Sequence, residues 1–231
     1  MDTLSRKRAL ELAATGDLSG YDLAGADLHE TDICAVLMQG TRLNQANISK
    51  TSMIKADLTG SELISANLSV SNLTAALLKK CNLTGADMSF AIAIGADLEG
   101  AVLAGANLSL SNLSCALFCN ADLRGVNLQQ AEASGADFSG SNMNKVNAFG
   151  ANMSASNFSG VDMEGCILTK ADLTAANLSG ANLKGSELLN ANFTAADLSG
   201  ADLRGATLAG STFSRAKLAG VQLDKGITLP S

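Results

Sequence analysis

Residues that could carry out chemistry are few in this chain of 231 residues, and their spacing suits no catalytic or metal site. Cys115 and Cys119 are the closest pair of cysteines, but a zinc site needs a second pair of ligands or a nearby histidine. The single histidine, His29, follows a predicted inward residue, Leu28, and is expected to be a solvated surface side chain. We therefore predict no catalytic residue, no metal, no cofactor and no small-molecule substrate.

The five cysteines are interpreted as small apolar fillers. Cys81 and Cys166 are predicted to face inward, whereas Cys34, Cys115 and Cys119 are predicted to lie near the surface. An odd number of cysteines without a recognisable secretory signal favours a reducing cytoplasm.

The carboxylates recur at fixed intervals, which points to a structural use. Asp or Asn side chains at a turn can accept hydrogen bonds from the backbone N–H groups that follow them. The glycines recur with the same period, so they are assigned to turns and not to a phosphate-binding loop.

These residues belong to a five-residue repeat that runs without interruption from Leu18 to Leu223. Of its 42 central positions, 39 hold Leu, Ile, Met or Phe, and the exceptions are Ala93, Ala133 and Ala148. A small residue usually lies two positions before each centre, Asp or Asn precedes it, and Gly is common two positions after it. A period of five fits neither a helix nor a strand, so the chain must turn once in every unit.

Four such units predict a square coil of twenty residues, with successive coils paired as short parallel strands. Like charges stacked in consecutive coils would repel, and no two acidic residues that precede a centre are twenty positions apart. Phenylalanines follow the same spacing at Phe118, Phe138 and Phe158, and again at Phe193 and Phe213. Core volume is balanced where a Phe and an Ala centre share a coil, but Ala93 has no such partner, which leaves either a local narrowing of the core or an alternative fill by Ile92 or Ile94.

The repeat resembles the pentapeptide-repeat family, whose consensus is matched by segments such as Ala171-Asp172-Leu173-Thr174 and Ala201-Asp202-Leu203-Arg204-Gly205. The resemblance implies an all-β fold, a right-handed quadrilateral parallel β-helix, also called a pentapeptide-repeat solenoid. It implies no shared active site.

The predicted organisation is a capping helix at 1–15, a β-helix of about ten and a half coils at 16–225 and a tail at 226–231. Thr3 or Ser5 could cap the helix at its start, and Gly16 is placed to stop it. The last coil could be covered by Ile227 and Leu229, or by a second copy of the chain, which makes a homodimer possible. Glu11 interrupts the short apolar run of the helix, so a membrane segment is not expected.

Outward apolar residues are the candidates for a binding site. We name as the ridge five residues that three successive coils should bring together: Val70, Phe90, Ile92, Ile94 and Leu110. The ridge is either a contact surface or simple side-chain cover over a corner. A second apolar column, Leu37, Leu77 and Leu117, alternates with aspartates and is predicted to be scattered.

Function is therefore predicted to come from this surface. We predict a non-enzymatic, cytoplasmic bacterial scaffold for an unidentified protein partner, and the net charge of −6 disfavours direct nucleic-acid binding. The resemblance leaves two alternatives, a DNA-mimicking protein that binds DNA gyrase in the manner of the fluoroquinolone-resistance type, and an accessory of a secretion or developmental system. Basic residues among the acids, such as Arg124, Lys184 and Arg204, and the lack of an inserted loop argue against the mimic.

Overall fold

The computed structural model describes residues 6–229, in which helix α1 (Arg6–Ala13) is followed by a coil that repeats every twenty residues. Parallel bridges join each residue before a centre to the residue twenty positions later, in 38 pairs from Asp17–Leu37 to Asp202–Gln222. The fold is the predicted right-handed quadrilateral parallel β-helix. We number its sides in chain order, so that the first coil has side 1 at 16–20, side 2 at 21–25, side 3 at 26–30 and side 4 at 31–35.

Each coil-to-coil pairing is a single-residue bridge and not an extended strand. The pairing nevertheless continues from coil to coil, because in the inner coils the N–H of nearly every bridge residue donates to the coil before it and the next N–H donates to the coil after it. In one such pair, Asn112 donates to Ala91 at 2.9 Å and Leu113 donates to Glu132 at 2.6 Å. A side that turns after five residues leaves no room for a longer strand.

A left-handed backbone conformation produces each corner. The residue two positions after every centre, from Gly20 to Gly220, has a positive φ, and 21 of these 41 residues are not glycine. The turn is closed by the next N–H, as in the 3.0 Å bond from Ala26 to the carbonyl of Leu23. The predicted role of glycine at the corners is confirmed, although half of the corners do without it.

The core is a column of centres and small residues. The predicted aromatic stacks are present, since the rings of Phe118, Phe138 and Phe158 lie parallel with centroids 4.9 and 4.8 Å apart. The suggestion that Ile92 or Ile94 fills the space left by Ala93 is wrong, because both side chains are exposed while Ala93 is fully buried. Their positions on either side of an inward centre direct them away from the core.

Helix α1 covers the first coil through Ala9, Leu12 and Ala13, which are buried. It ends at Ala13, and the predicted stop residue Gly16 follows with a φ of 82° and an N–H that donates to the carbonyl of Ala13, as is typical after a helix end. The proposed caps Thr3 and Ser5 lie outside the described residues.

Arg6 connects helix α1 to side 3 through a hydrogen bond and an ion pair. It donates to the carbonyl oxygen of His29 at 2.7 Å and lies 3.3 Å from the carboxylate of Asp27. His29 is therefore not simply a solvated residue, because its Nδ1 is 2.9 Å from Arg6 and 2.6 Å from Asp27. The hydrogen bond from His29 is the main cause of the lowered pKa of Asp27.

The last described coil is less well covered than the others. Leu208, Leu218 and Leu223 are only partly buried, and so is Leu229 of the tail, which also packs against the core, whereas Ile227 is exposed. The division of the chain at residues 15 and 225 stays a prediction.

Inward hydroxyl and thiol groups donate to backbone carbonyls. Ser61 is typical, since its Oγ donates to Met38 at 2.6 Å and accepts from the N–H of Thr41 at 3.1 Å. Ser141 lies in the same inward column and is buried, but its Oγ has no partner among the described residues. A buried hydroxyl without a partner loses its hydration and gains nothing in return.

We expect Leu113→Ala to lower the free energy of unfolding by about 2–5 kcal/mol, because it opens a void in a fully packed column. Leu117→Ala is the matched control, since this side chain is 41% exposed and its loss should change stability by less than about 0.5 kcal/mol. Equal effects in chemical denaturation would contradict the inward assignment of the centres.

We also expect Ser141→Ala to raise the free energy of unfolding by about 1 kcal/mol, whereas Ser61→Ala lowers it by a similar amount. Alanine already occupies this inward column at Ala121, so the substitution is compatible with the packing. The same sign for both variants would show that the two hydroxyls are in equivalent environments.

Candidate protein-interaction surface

The ridge residues lie together as predicted, at the corner between sides 3 and 4. Val70, Phe90 and Leu110 occupy this corner in three successive coils, while Ile92 and Ile94 continue along side 4 at the level of Phe90. All five are exposed, from 38% for Ile94 to 56% for Phe90. Apolar side chains of this size are thus exposed as one contiguous group, whereas scattered single residues are normal on a surface.

The three corner residues of the ridge are in the conformation that large side chains avoid. Val70 has φ 61°, Phe90 57° and Leu110 58°, and a β-branched residue such as Val70 is rare there. This corner holds glycine at only two of its ten positions, Gly150 and Gly210, whereas the corner between sides 1 and 2 holds it at nine of eleven. The positive φ at this corner favours glycine, but the corner is occupied mostly by residues other than glycine, and only the ridge fills it with large apolar side chains in consecutive coils.

The surroundings of the ridge on side 4 are small and uncharged. Between Lys55 and Glu132, the outward positions of this side hold Asn, Thr, Ser and isoleucine. The opposite corner, between sides 4 and 1, carries Ala75, Gly95 and Cys115 in the same three coils. Side 4 thus has a bulky edge and a flat edge.

The Asp and Asn residues before the centres are fully engaged in the backbone turns, as predicted. Each of the 27 accepts a hydrogen bond at Oδ1 from the N–H two residues later, at 2.8–3.3 Å. Asn side chains also donate to the residue one coil below, as Asn47 does to Asp27 at 3.3 Å and Asn67 to Asn47 at 3.3 Å. These bonds explain why an amide can lie directly above an acid or above another amide in these columns.

Several acids of side 2 are paired with basic residues. Arg124 binds Asp122 at 2.6 Å, and Asp202 is bound by Arg204 at 2.6 Å and by Lys184 at 3.1 Å. The hydrogen bond from the adjacent arginine is the main cause of the lowered pKa of Asp122 and of Asp202. This side is therefore a mixture of both charges and not a uniformly negative strip.

The remaining candidate groups are dispersed. Cys81 and Cys166 are buried, and burial raises the pKa of each thiol to about 12, while Cys34 and Cys115 are exposed and Cys119 is half-buried. Within residues 6–229, no group of three or more His, Cys, Asp or Glu residues is placed to hold a metal ion. The column of Leu37, Leu77 and Leu117 is exposed but separated by Asp57 and Asp97.

One feature of the ridge corner was not predicted from the sequence. Five coils above Val70, the ammonium of Lys170 lies 5.6 Å from the ring centroid of Phe149, in a cation–π contact. The sequence did contain a sign of this contact, because the outward position of Phe149 is occupied by Ser in four of the coils below it.

These features define a β-solenoid of five-residue units with a localised apolar ridge, and comparison with known proteins gives its family. A model described as pentapeptide repeats matches in eight copies, over residues 37–74, 81–114, 111–147, 149–185 and 186–225. The chain therefore belongs to the pentapeptide-repeat family, as its resemblance to the consensus implied.

Two solved structures illustrate the similarity. HetL, a pentapeptide repeat protein involved in heterocyst differentiation regulation in the cyanobacterium Nostoc, is 28% identical over 98% of this chain and 99% of its own, with a TM-score of 0.43. Full-length QnrB1, a plasmid-mediated fluoroquinolone resistance protein, is 22% identical over 87% of this chain and 94% of its own, with a TM-score of 0.51. The similarity to QnrB1 bears on the fold alone.

A comparison with the curated proteins found no match. Among the described residues, no helix has the length and apolar character that crossing a bilayer requires.

The conformation of the ridge leads to a prediction about stability. Val70→Asn should raise the free energy of unfolding by about 0.5–1 kcal/mol, because asparagine tolerates a positive φ far better than valine does. The reverse change at the same corner, Asn190→Val, should lower it by a similar amount, since Asn190 has φ 56°. A loss of stability in Val70→Asn would mean that the ridge supports the solenoid.

Proposed function

We propose that this protein is a non-enzymatic, rigid scaffold that binds a protein partner through the ridge of Val70, Phe90, Ile92, Ile94 and Leu110. The observation that carries the proposal is that the same three corner residues are both exposed and held in an unfavourable backbone conformation. Three large apolar side chains occupy consecutive corner positions with positive φ, and none of them is needed to fill the core. Local strain that packing does not explain is typical of functional sites.

The frame beneath the ridge is suited to hold it in place. The N–H groups of Val70, Phe90 and Leu110 each donate to the coil above, at 2.9, 3.0 and 2.9 Å. Because every corner is fixed by neighbouring coils, the ridge side chains lose little backbone freedom when they bind. Preorganisation of this kind lowers the entropy loss of association.

The DNA-mimicking alternative has less support. A mimic of DNA needs a continuous negative surface, but Asp22, Asp122 and Asp202 on side 2 all lie within 3.1 Å of an arginine or lysine nitrogen. The similarity to QnrB1 supports the shared fold and does not extend to its role. A function in secretion or development rests on the family resemblance alone.

We place the protein in the cytoplasm, where a reducing environment would keep its five cysteines as free thiols. The pairing of Cys81 and Cys166 with backbone carbonyls at 2.9 and 3.0 Å agrees with this interpretation, because both thiols are already used as hydrogen-bond donors.

The experiment is a capture from extracts of the source cell with the wild-type protein, Phe90→Asp and Ile64→Asp as baits. Ile64 is a matched control, since it is 37% exposed and lies on side 2, away from the ridge. We expect Phe90→Asp to weaken capture of the partner at least about 30-fold, as loss of a central anchor does, and Ile64→Asp to have little effect. Full capture by a folded Phe90→Asp variant would contradict the proposal.

A further inference from the structure

We propose that the ridge is occupied by a second copy of this chain, lying parallel to the first with side 4 against side 4. The inference rests on the proposed function, because it takes the ridge to be a contact surface. It names the partner, the orientation of the two copies and the residues that face the ridge.

The two edges of side 4 are complementary in shape. Phe90 and Gly95 stand at opposite corners of the same coil, and Val70 and Leu110 are likewise opposite Ala75 and Cys115. A twofold axis parallel to the rods would place the bulky edge of each copy over the flat edge of the other. An axis perpendicular to the rods would instead press ridge against ridge, where Phe90 would meet its own counterpart.

The parallel arrangement makes a closed, self-complementary pair. Phe90 of each copy would lie over Gly95 of the other, and Ile92 of each copy would lie near Ile94 of the other, close to the axis. Each contact then occurs twice, as in other twofold interfaces, and neither copy has a free ridge left to recruit a third copy.

Charged residues on side 4 and its corners limit how far the contact can extend along the two rods, because like charges would face each other there. Below the ridge, Lys50 of one copy would face Lys55 of the other, and above it Glu132 would approach its counterpart. Between these limits, side 4 and its two corners carry no charged side chain. Two molecules with a net charge of −6 each can therefore approach closely along this uncharged band.

The size of the surface predicts a weak pair. Five half-exposed apolar side chains provide roughly 400 Å² per copy, about half of what one partner contributes to an interface of standard size. Association should therefore need protein concentrations of tens to hundreds of micromolar.

Sedimentation equilibrium of the full chain, from about 5 to 500 µM and at two salt concentrations, tests this inference. We expect the weight-average mass to rise from 23.4 kDa toward twice that value, with little dependence on salt because the contact is apolar. Phe90→Asp should weaken association at least tenfold.

Gly95→Lys tests the orientation, because Gly95 faces the ridge only in the parallel pair. A side chain fits there, since a Cβ at Gly95 would meet no atom within 4 Å and Lys55 in the same column already has φ 58°. Gly105→Lys is the matched control, since Gly105 is equally open and has φ 67° but lies at the corner between sides 2 and 3. We expect at least a tenfold weakening in Gly95→Lys and no change in Gly105→Lys.

A mass of 23.4 kDa at every concentration would overturn the inference, and so would a pair that Gly95→Lys leaves intact. If the wild type is a monomer while Phe90→Asp still loses a different protein in the capture experiment, the ridge is a contact surface for another partner. That result would leave the proposed function standing and would reject the second copy.

Discussion

The structure depends on one constraint, which is that the chain turns into a left-handed conformation at every fifth residue. From Gly20 to Gly220 this happens 41 times without a gap, and four such turns close one coil. Three other properties follow from this regularity. Centres always face inward, the residue before each centre always bridges to the next coil, and an Asp or Asn at that position always reaches the N–H of its own turn.

The same constraint makes departures from the repeat meaningful. Glycine is the residue that a positive φ favours, and asparagine is the next most suitable. Val70, Phe90 and Leu110 are neither, and their side chains do not reach the core. Sequences tolerate such local loss of folding stability where activity or binding requires it, which supports the proposal that the ridge is a contact surface.

Much of the fold could be predicted because five-residue spacing leaves few geometries open. The twenty-residue coil, the stacked rings of Phe118 and Phe138 and the exposure of Phe90 all depend on register alone. Contacts between units that do not repeat could not be derived in this way. Arg6 reaches His29 because α1 folds back over the first coil. The Ser141 hydroxyl has no partner among the described residues although Ser61 of the same column has two, a difference that the repeat does not determine.

Hydroxyl-radical labelling of side chains is the most direct test of the claim that the ridge is a contact surface. It would compare the protein in its native cell with the dilute purified protein. Phe90 and Leu110 should lose most of their labelling in the cell, while the similarly exposed Leu37 and Leu77 on side 1 keep theirs. Equal labelling of both groups in the two settings would contradict the claim, because the ridge would then be open to solvent in the cell.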